Sequence, residues 1–207
     1  MTGRFISLEG GEGVGKSTQA RRLAEALRAR GHEVLLTREP GGSEGAETIR
    51  KLLLEGESGR WTPAAEALLF AAARADHVAR TIRPALAAGK WVISDRFLDS
   101  SLAYQGGGDG IGDTAIRSLH MIGSEGMLPD RTLLLTLPED EAARRAAARD
   151  RGGADRIGAR DSAFHARVAH AFEALAVAEP GRFRVIDARG TPEDVTARLL
   201  AALDDRG

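Results

Sequence analysis

Eight residues near the start of the chain carry the clearest chemistry. Gly10-Gly11-Glu12-Gly13-Val14-Gly15-Lys16-Ser17 fits the pattern GxxxxGK followed by Ser or Thr. Glycines at these spacings let backbone N–H groups converge on phosphate oxygens, and a helix starting behind them adds the partial positive charge of its N-terminus. Lys16 is placed to neutralise β and γ phosphates, Ser17 to offer a hydroxyl to magnesium, and Thr18 to join the nucleotide contacts. The alternative is a glycine-rich turn with an ordinary lysine. The context speaks for the phosphate loop, since the strand-like run Phe5 to Leu8 precedes it and an amphipathic helical stretch follows. Such a loop implies ATP with Mg2+ and leaves the reaction open.

A second carboxylate comes from Asp95-Arg96, at the end of the apolar run Trp91 to Ser94. A parallel sheet would aim both side chains at the phosphate loop, with Asp95 holding magnesium directly or through water. A helix cap or turn is the competing role for Asp95, and a surface ion pair for Arg96. Glu9, which ends the first strand-like run, is counted as a third metal-side candidate with Ser17 and Asp95.

Elements must hold these residues in place. Strand-length runs recur at Phe5 to Leu8, Val34 to Thr37, Trp91 to Ser94, Thr132 to Leu137 and Phe183 to Ile186. Helical periods fill the intervals at Ser17 to Arg30, Glu44 to Glu55, Pro63 to Ala88 with a break near Arg83-Pro84, Asp113 to Ser124, Glu139 to Arg149, Ser162 to Glu179 and Pro192 to Asp205. The alternation predicts an α/β fold, a five-stranded parallel sheet flanked by helices in three layers. No composition break marks a second domain, so residues 1–207 read as one unit.

Composition narrows the function classes. Without cysteine, disulfides, thiol nucleophiles and thiolate metal sites are excluded. With 29 basic and 30 acidic residues the net charge of −1 offers no field to hold a nucleic acid polymer, so anionic partners should be small. The N-terminal residues show neither an export signal nor a membrane span, and a cytoplasmic location is expected. Positive charge is almost all arginine, which suits forked phosphate recognition, although arginine- and alanine-rich codon usage explains it as well. His32, His77, His120, His165 and His170 show no metal-ligand spacing and read as surface or packing residues.

Three further segments carry a resemblance: Thr37-Arg38-Glu39-Pro40-Gly41-Gly42, Leu69-Phe70-Ala71-Ala72-Ala73-Arg74, and Asp99-Ser100-Ser101-Leu102-Ala103-Tyr104-Gln105-Gly106-Gly107-Gly108 behind Asp95-Arg96. From Phe5 to the last helix the chain resembles the bacterial-type thymidylate kinases, with the motifs in the same order. The resemblance implies a P-loop fold of nucleoside monophosphate kinase type and transfer of the γ-phosphoryl group of ATP to dTMP, giving ADP and dTDP. It implies Arg38 as the clamp on the acceptor phosphate, Phe70 as the ring under thymine, and Arg74 and Gln105 as readers of the base edge. For Phe70, ordinary helix-core packing competes on spacing alone. The resemblance also implies Ser101 among the acceptor contacts, Tyr104 crowding the 2′ position and Glu12 meeting the 3′-hydroxyl, while Arg96 reads as a bridge between donor and acceptor phosphates.

The segment around Arg149-Asp150-Arg151-Gly152-Gly153-Ala154-Asp155-Arg156-Ile157 resembles the family's mobile LID, about residues 149–160. Because the phosphate loop here lacks arginine, the resemblance gives Arg149, Arg151 and Arg156 the stabilisation of charge in the transition state. A solvated arginine-rich turn competes for them, and is preferred for Arg144, Arg145 and Arg160. Arg189 belongs to the loop expected against adenine. A homodimer formed through packed helices is also implied. The sequence departs from the family at Gly158, where an acidic residue is common, and at Phe97 and Phe172. Rival readings are a kinase for another small acceptor and an ATP-dependent switch protein, neither of which needs a thymine pocket.

Overall fold

The computed structural model describes residues 3–57, 59–149 and 156–204, with the backbone alone at Arg149. Strands β1 (Phe5–Glu9), β2 (Val34–Arg38), β3 (Trp91–Asp95), β4 (Arg131–Thr136) and β5 (Phe183–Asp187) form one parallel sheet in the order β2-β3-β1-β4-β5. Around it lie α1 (Lys16–Ala29), α2 (Glu44–Leu54), α3 (Pro63–His77), α4 (Arg83–Ala87), α5 (Leu98–Ser101), α6 (Asp113–Ser124), α7 (Glu139–Arg149), α8 (Ser162–Ala178) and α9 (Pro192–Asp204). The expected three-layer α/β fold is the one found.

Strand β1 is central and all five of its residues are buried, which is why apolar residues stand at neighbouring positions, Phe5-Ile6 and Leu8, instead of at every second one. Its neighbours in sequence serve opposite faces: Phe5 packs with Val92, Phe97 and Leu134 against α6 and α8, whereas Ile6 and Leu8 pack with Leu23, Leu27 and Leu199 of α1 and α9. On α1 the buried positions Ala20, Leu23, Ala24 and Leu27 form the single stripe that a surface helix needs. Starts are marked by Ser43, Thr62 and Asp161, whose side-chain oxygens accept the N–H of Ala46, Ala65 and Phe164.

Two elements differ from expectation. The helix predicted from Pro63 to Ala88 gives way earlier, to a π-helical turn at Val78–Ile82, and α4 then carries Pro84 in its first turn, where a missing N–H is tolerated. Residues 98–108, for which the sequence predicts no element, form α5 and a π-helical turn at Leu102–Gly108. Three glycines argue against a helix there, but they answer to packing: a Cβ on Gly107 would lie 2.7 Å from the Cβ of Ala171 on α8.

Candidate active site

Register brings the motifs together. Leu8 pairs with Asp95 and Asp95 with Arg38, so the phosphate loop, Asp95-Arg96 and Arg38 all leave the sheet at one carboxyl edge, where open α/β sheets bind ligands. Here a cleft of about 610 Å³ opens, lined on one wall by Gly13, Gly15, Lys16, Ser17, Thr18 and Asp95, and on the other by Phe70, Arg74, Ser101, Tyr104 and Gln105. Glu12, Arg38 and Arg96 also line it.

On the phosphate wall, Gly15 takes the left-handed conformation at φ 92° and starts α1 at Lys16. Lys16 Nζ donates to Gly11 O at 2.6 Å, and burial, followed by the charge of Arg96, lowers its pKa to about 8. Ser17 Oγ donates to the Asp95 carboxylate. These two hard oxygen donors at the mouth of the phosphate loop fit Mg2+, which binds few protein groups and keeps phosphate and water oxygens. Among the described residues no three His, Cys, Asp or Glu side chains form a metal cage.

Arg96 lines the cleft in a left-handed backbone conformation, φ 73°, that a non-glycine residue holds only under constraint. Its guanidinium donates to Gly10 O at 3.2 Å, Ser100 Oγ at 3.0 Å, Tyr104 OH at 3.2 Å and Glu12 Oε1 at 2.5 Å. Tyr104 OH donates to the same Glu12 oxygen at 3.1 Å, and burial pushes its pKa up, so it stays a phenol. Gly13, also in the left-handed region, sits so close to α7 that a Cβ would lie 2.1 Å from Ala142 O.

The opposite wall takes Phe70 and Arg74 from one face of α3, and Ser101, Tyr104 and Gln105 from residues 98–108. Glu66, Phe70, Arg74 and His77 follow at helical spacing. Arg74, 3% exposed, donates to Glu39 Oε2 at 2.7 Å, to Ser101 Oγ at 2.8 Å and to Phe97 O at 3.2 Å. Glu39 Oε1 lies 3.0 Å from His77 Nδ1, and His77 Nε2 2.7 Å from Thr37 Oγ1. Burial works to raise the Glu39 pKa, but the Arg74 charge and the His77 contact outweigh it and hold the carboxyl below its usual range. Gln105 Nε2 donates to Glu66 Oε1 at 3.0 Å.

Some candidates do not reach the cleft wall. Glu9 is fully buried behind it, where its oxygens accept Phe97 N–H at 2.7 Å and Ser100 Oγ–H at 2.6 Å, and burial, then the charge of Asp99, raises its pKa to about 8. That group is a buried acceptor rather than an exposed metal ligand. Arg156 is likewise buried, with Nε on Leu53 O at 3.0 Å and Nη2 on Glu66 at 2.5 Å. Arg189 is tied to Asp187 on the surface, beside a smaller hollow lined by Val14, Gly15, Thr18 and Gly190. Gly10 and Gly11 supply backbone carbonyls to Arg96 and Lys16. The Arg149 side chain and Arg151 lie outside the described residues.

Other residues at the site escaped the sequence reading. His77, expected at the surface or in packing, is buried in the polar network behind Arg74. Arg160 pairs with Glu66 and Asp109 instead of water, and Arg145 lines both the cleft and the smaller hollow. The i, i+4, i+8, i+11 spacing of Glu66, Phe70, Arg74 and His77 was the available signal, of which only Phe70 and Arg74 were used.

Fold and site together define a P-loop phosphotransferase of the nucleoside monophosphate kinase type. The family profile described as thymidylate kinase matches residues 8–199. A thymidylate kinase of Rhizorhabdus wittichii is 67% identical over 205 residues, covering 99% of each chain, and one of Caulobacter vibrioides is 51% identical over 199 residues, covering 95% of this chain and 94% of its own. The crystal structure of thymidylate kinase from Ehrlichia chaffeensis superposes with a TM-score of 0.79 at 31% identity, over 98% of this chain and 100% of that one. The chain belongs to the thymidylate kinase family.

Proposed function

We propose that the two walls of the cleft divide the phosphorylation of dTMP by ATP between them, the phosphate loop holding the donor and the α3 side holding the acceptor. The reaction moves the γ-phosphoryl group to the 5′-phosphate of dTMP and yields ADP and dTDP, a step of dTTP synthesis. One observation carries the assignment of sides: Arg96 spans them, bonded to Gly10 O in the phosphate loop and to Tyr104 OH on the acceptor wall.

No general base is needed, because the attacking oxygen belongs to a phosphate monoester that is already largely ionised at pH 7, its second pKa being about 6. The site's work is to align two anions and offset their repulsion. Lys16 takes the β and γ phosphates and Arg96 stands between the two ligands. Arg38, whose guanidinium rests at 3.1 Å on both oxygens of the half-exposed Glu47, would exchange that carboxylate for the acceptor phosphate. Phe70 offers its ring to thymine, Arg74 and Gln105 the base edge, Ser101 a further acceptor contact, and Glu12 the sugar hydroxyl. Ser17 and Asp95 would hold Mg2+, which supplies charge neutralisation and orientation of the phosphates.

The same reading treats the chain as a single kinase domain whose LID spans about residues 149–160, with Arg149 and Arg151 as its charge carriers. Arg156, buried on Glu66, serves as an anchor at the end of that segment. Location in the cytoplasm follows from the substrates, and recovery in a membrane pellet would contradict it; among the described residues no helix is long and apolar enough to cross a membrane. Exposed apolar side chains on the packed pair α3 and α6, Leu68, Met121 and Ile122, support a homodimer through these helices. Sedimentation at micromolar protein tests that, and a monomer refutes it.

The central test is ADP production from MgATP with dTMP, dUMP, dCMP, AMP, GMP or no acceptor, using Lys16→Ala as background. Strong turnover with dTMP, weaker with dUMP and none without acceptor is expected. Equal turnover without acceptor would remove the acceptor pocket from the account and leave only the phosphate loop.

A further inference from the structure

Gln105 is 1% exposed in the cleft wall, and its amide has two ends of opposite chemistry, an N–H2 donor and a carbonyl acceptor. Which end meets the acceptor's base is decided by a residue behind the wall. Glu66 is fully buried on α3. It takes Arg156 Nη2 at 2.5 Å and Arg160 Nη2 at 3.0 and 3.1 Å, so it is a carboxylate shared between two guanidinium ions. A carboxylate in that position only accepts. The Gln105 atom 3.0 Å from its Oε1 must therefore be the amide nitrogen, because the reverse orientation would set a carbonyl oxygen against a carboxylate oxygen. As the other branch of an amide whose nitrogen is turned to Glu66, Gln105 Oε1 is the end left for a ligand in the cleft that Gln105 lines.

We propose that Glu66 is a specificity-determining positioning residue: by locking the Gln105 amide carbonyl-outward, it selects pyrimidines with an N–H donor at ring position 3 and rejects cytosine. Thymine and uracil present that N–H to the fixed acceptor. Cytosine presents a lone pair, and the two acceptors repel with no rotamer open to relieve them, since turning the amide would break the bond to Glu66. The inference rests on the reading of Gln105 as the residue that faces the base.

The test compares kcat/KM for dTMP and dCMP, with dCMP also measured as a competitive inhibitor. Three variants are used: Glu66→Gln, Glu66→Asp and Gln105→Leu. Glu66→Gln frees the amide to turn, and the dTMP preference should fall by about tenfold or more, the worth of one buried mismatched hydrogen bond. Glu66→Asp keeps the charge that Arg156 and Arg160 require and withdraws the oxygen from Nε2 by one methylene, so the ratio should fall in the same direction by a smaller factor. Equal losses with dTMP and dCMP would make Glu66 a structural residue only and overturn the inference. If Gln105→Leu lowers the ratio and both Glu66 variants leave it intact, the role of Glu66 fails alone. If Gln105→Leu also leaves it intact, the base-facing reading of Gln105 falls and the inference with it. In the unmodified protein the Gln105 side-chain amide, assigned by NMR through its loss in Gln105→Leu, should exchange slowly with solvent with and without dTMP. Fast exchange in either state overturns the lock.

Discussion

The two walls of the cleft solve different problems with the same residue types. On the acceptor wall the groups around α3 sit in buried pairs: Arg74 on Glu39 at 3% and 4% side-chain exposure, Gln105 on Glu66, and Glu39 in turn on His77. On the phosphate side the cations rest on partners that a ligand can displace, with Arg38 on the half-exposed Glu47 and Lys16 on a backbone carbonyl. A base edge is neutral and directional, so its readers gain from being fixed in advance. Phosphates are multiply charged, and they repay cations that are held loosely and exchanged on arrival.

The largest effect is expected at the group that joins the two walls. Arg96→Ala should lower kcat with dTMP by about a thousandfold or more, as loss of a phosphate-clamping arginine does in this chemistry, with an unchanged circular dichroism spectrum. A loss of only a few-fold would show that Arg96 is a structural bridge.

Breaking the fixed wall should show first in stability. Glu39→Gln leaves Arg74 buried without its counter-charge and should destabilise the fold by about 3 kcal/mol in denaturant titration at pH 7, the scale for breaking a buried ion pair. Glu39 has a folded-state pKa below its ordinary 4.5, so its stabilisation is present above that value and is lost as pH falls through the folded pKa. The gap between variant and parent should therefore narrow under acid conditions, and a gap that persists there would assign the loss to shape instead of charge. The smallest change is expected from Arg38→Lys, which keeps charge but loses the fork. KM for dTMP should rise about tenfold with kcat nearly constant, because an ammonium makes a weaker, less directional phosphate contact. An unchanged KM would move the acceptor phosphate elsewhere.

The phosphate wall was legible in the sequence because its chemistry depends on consecutive residues: Gly10 to Ser17 form one loop, and Asp95-Arg96 end one strand. The sheet was legible for a similar reason, since a strand buried on both faces carries apolar residues at neighbouring positions, as Phe5-Ile6 in β1, Val92-Ile93 in β3 and Leu133 to Leu135 in β4 do. The acceptor wall was legible only through family likeness, and only in part. Glu66 and Arg160, or Glu39 and His77, lie 94 and 38 residues apart, so the helical period that sets Glu66 and His77 on the face of Phe70 and Arg74 does not name the partners that arrive from other elements. Glu9 misled because its place beside the phosphate loop said nothing of the Phe97 N–H and Ser100 hydroxyl that occupy it.

Gly13 has a mechanical side. With no side chain between them, the phosphate loop and the Ala142 carbonyl touch, and α7 runs from that contact to Arg149. The loop is thus the fulcrum of a short lever. Seven residues at about 1.5 Å of rise each make an arm of roughly 10 Å, so a tilt of about 6° at the fulcrum carries the backbone of Arg149 about 1 Å. Gly13 leaves no side chain between loop and helix to absorb a shift of either one.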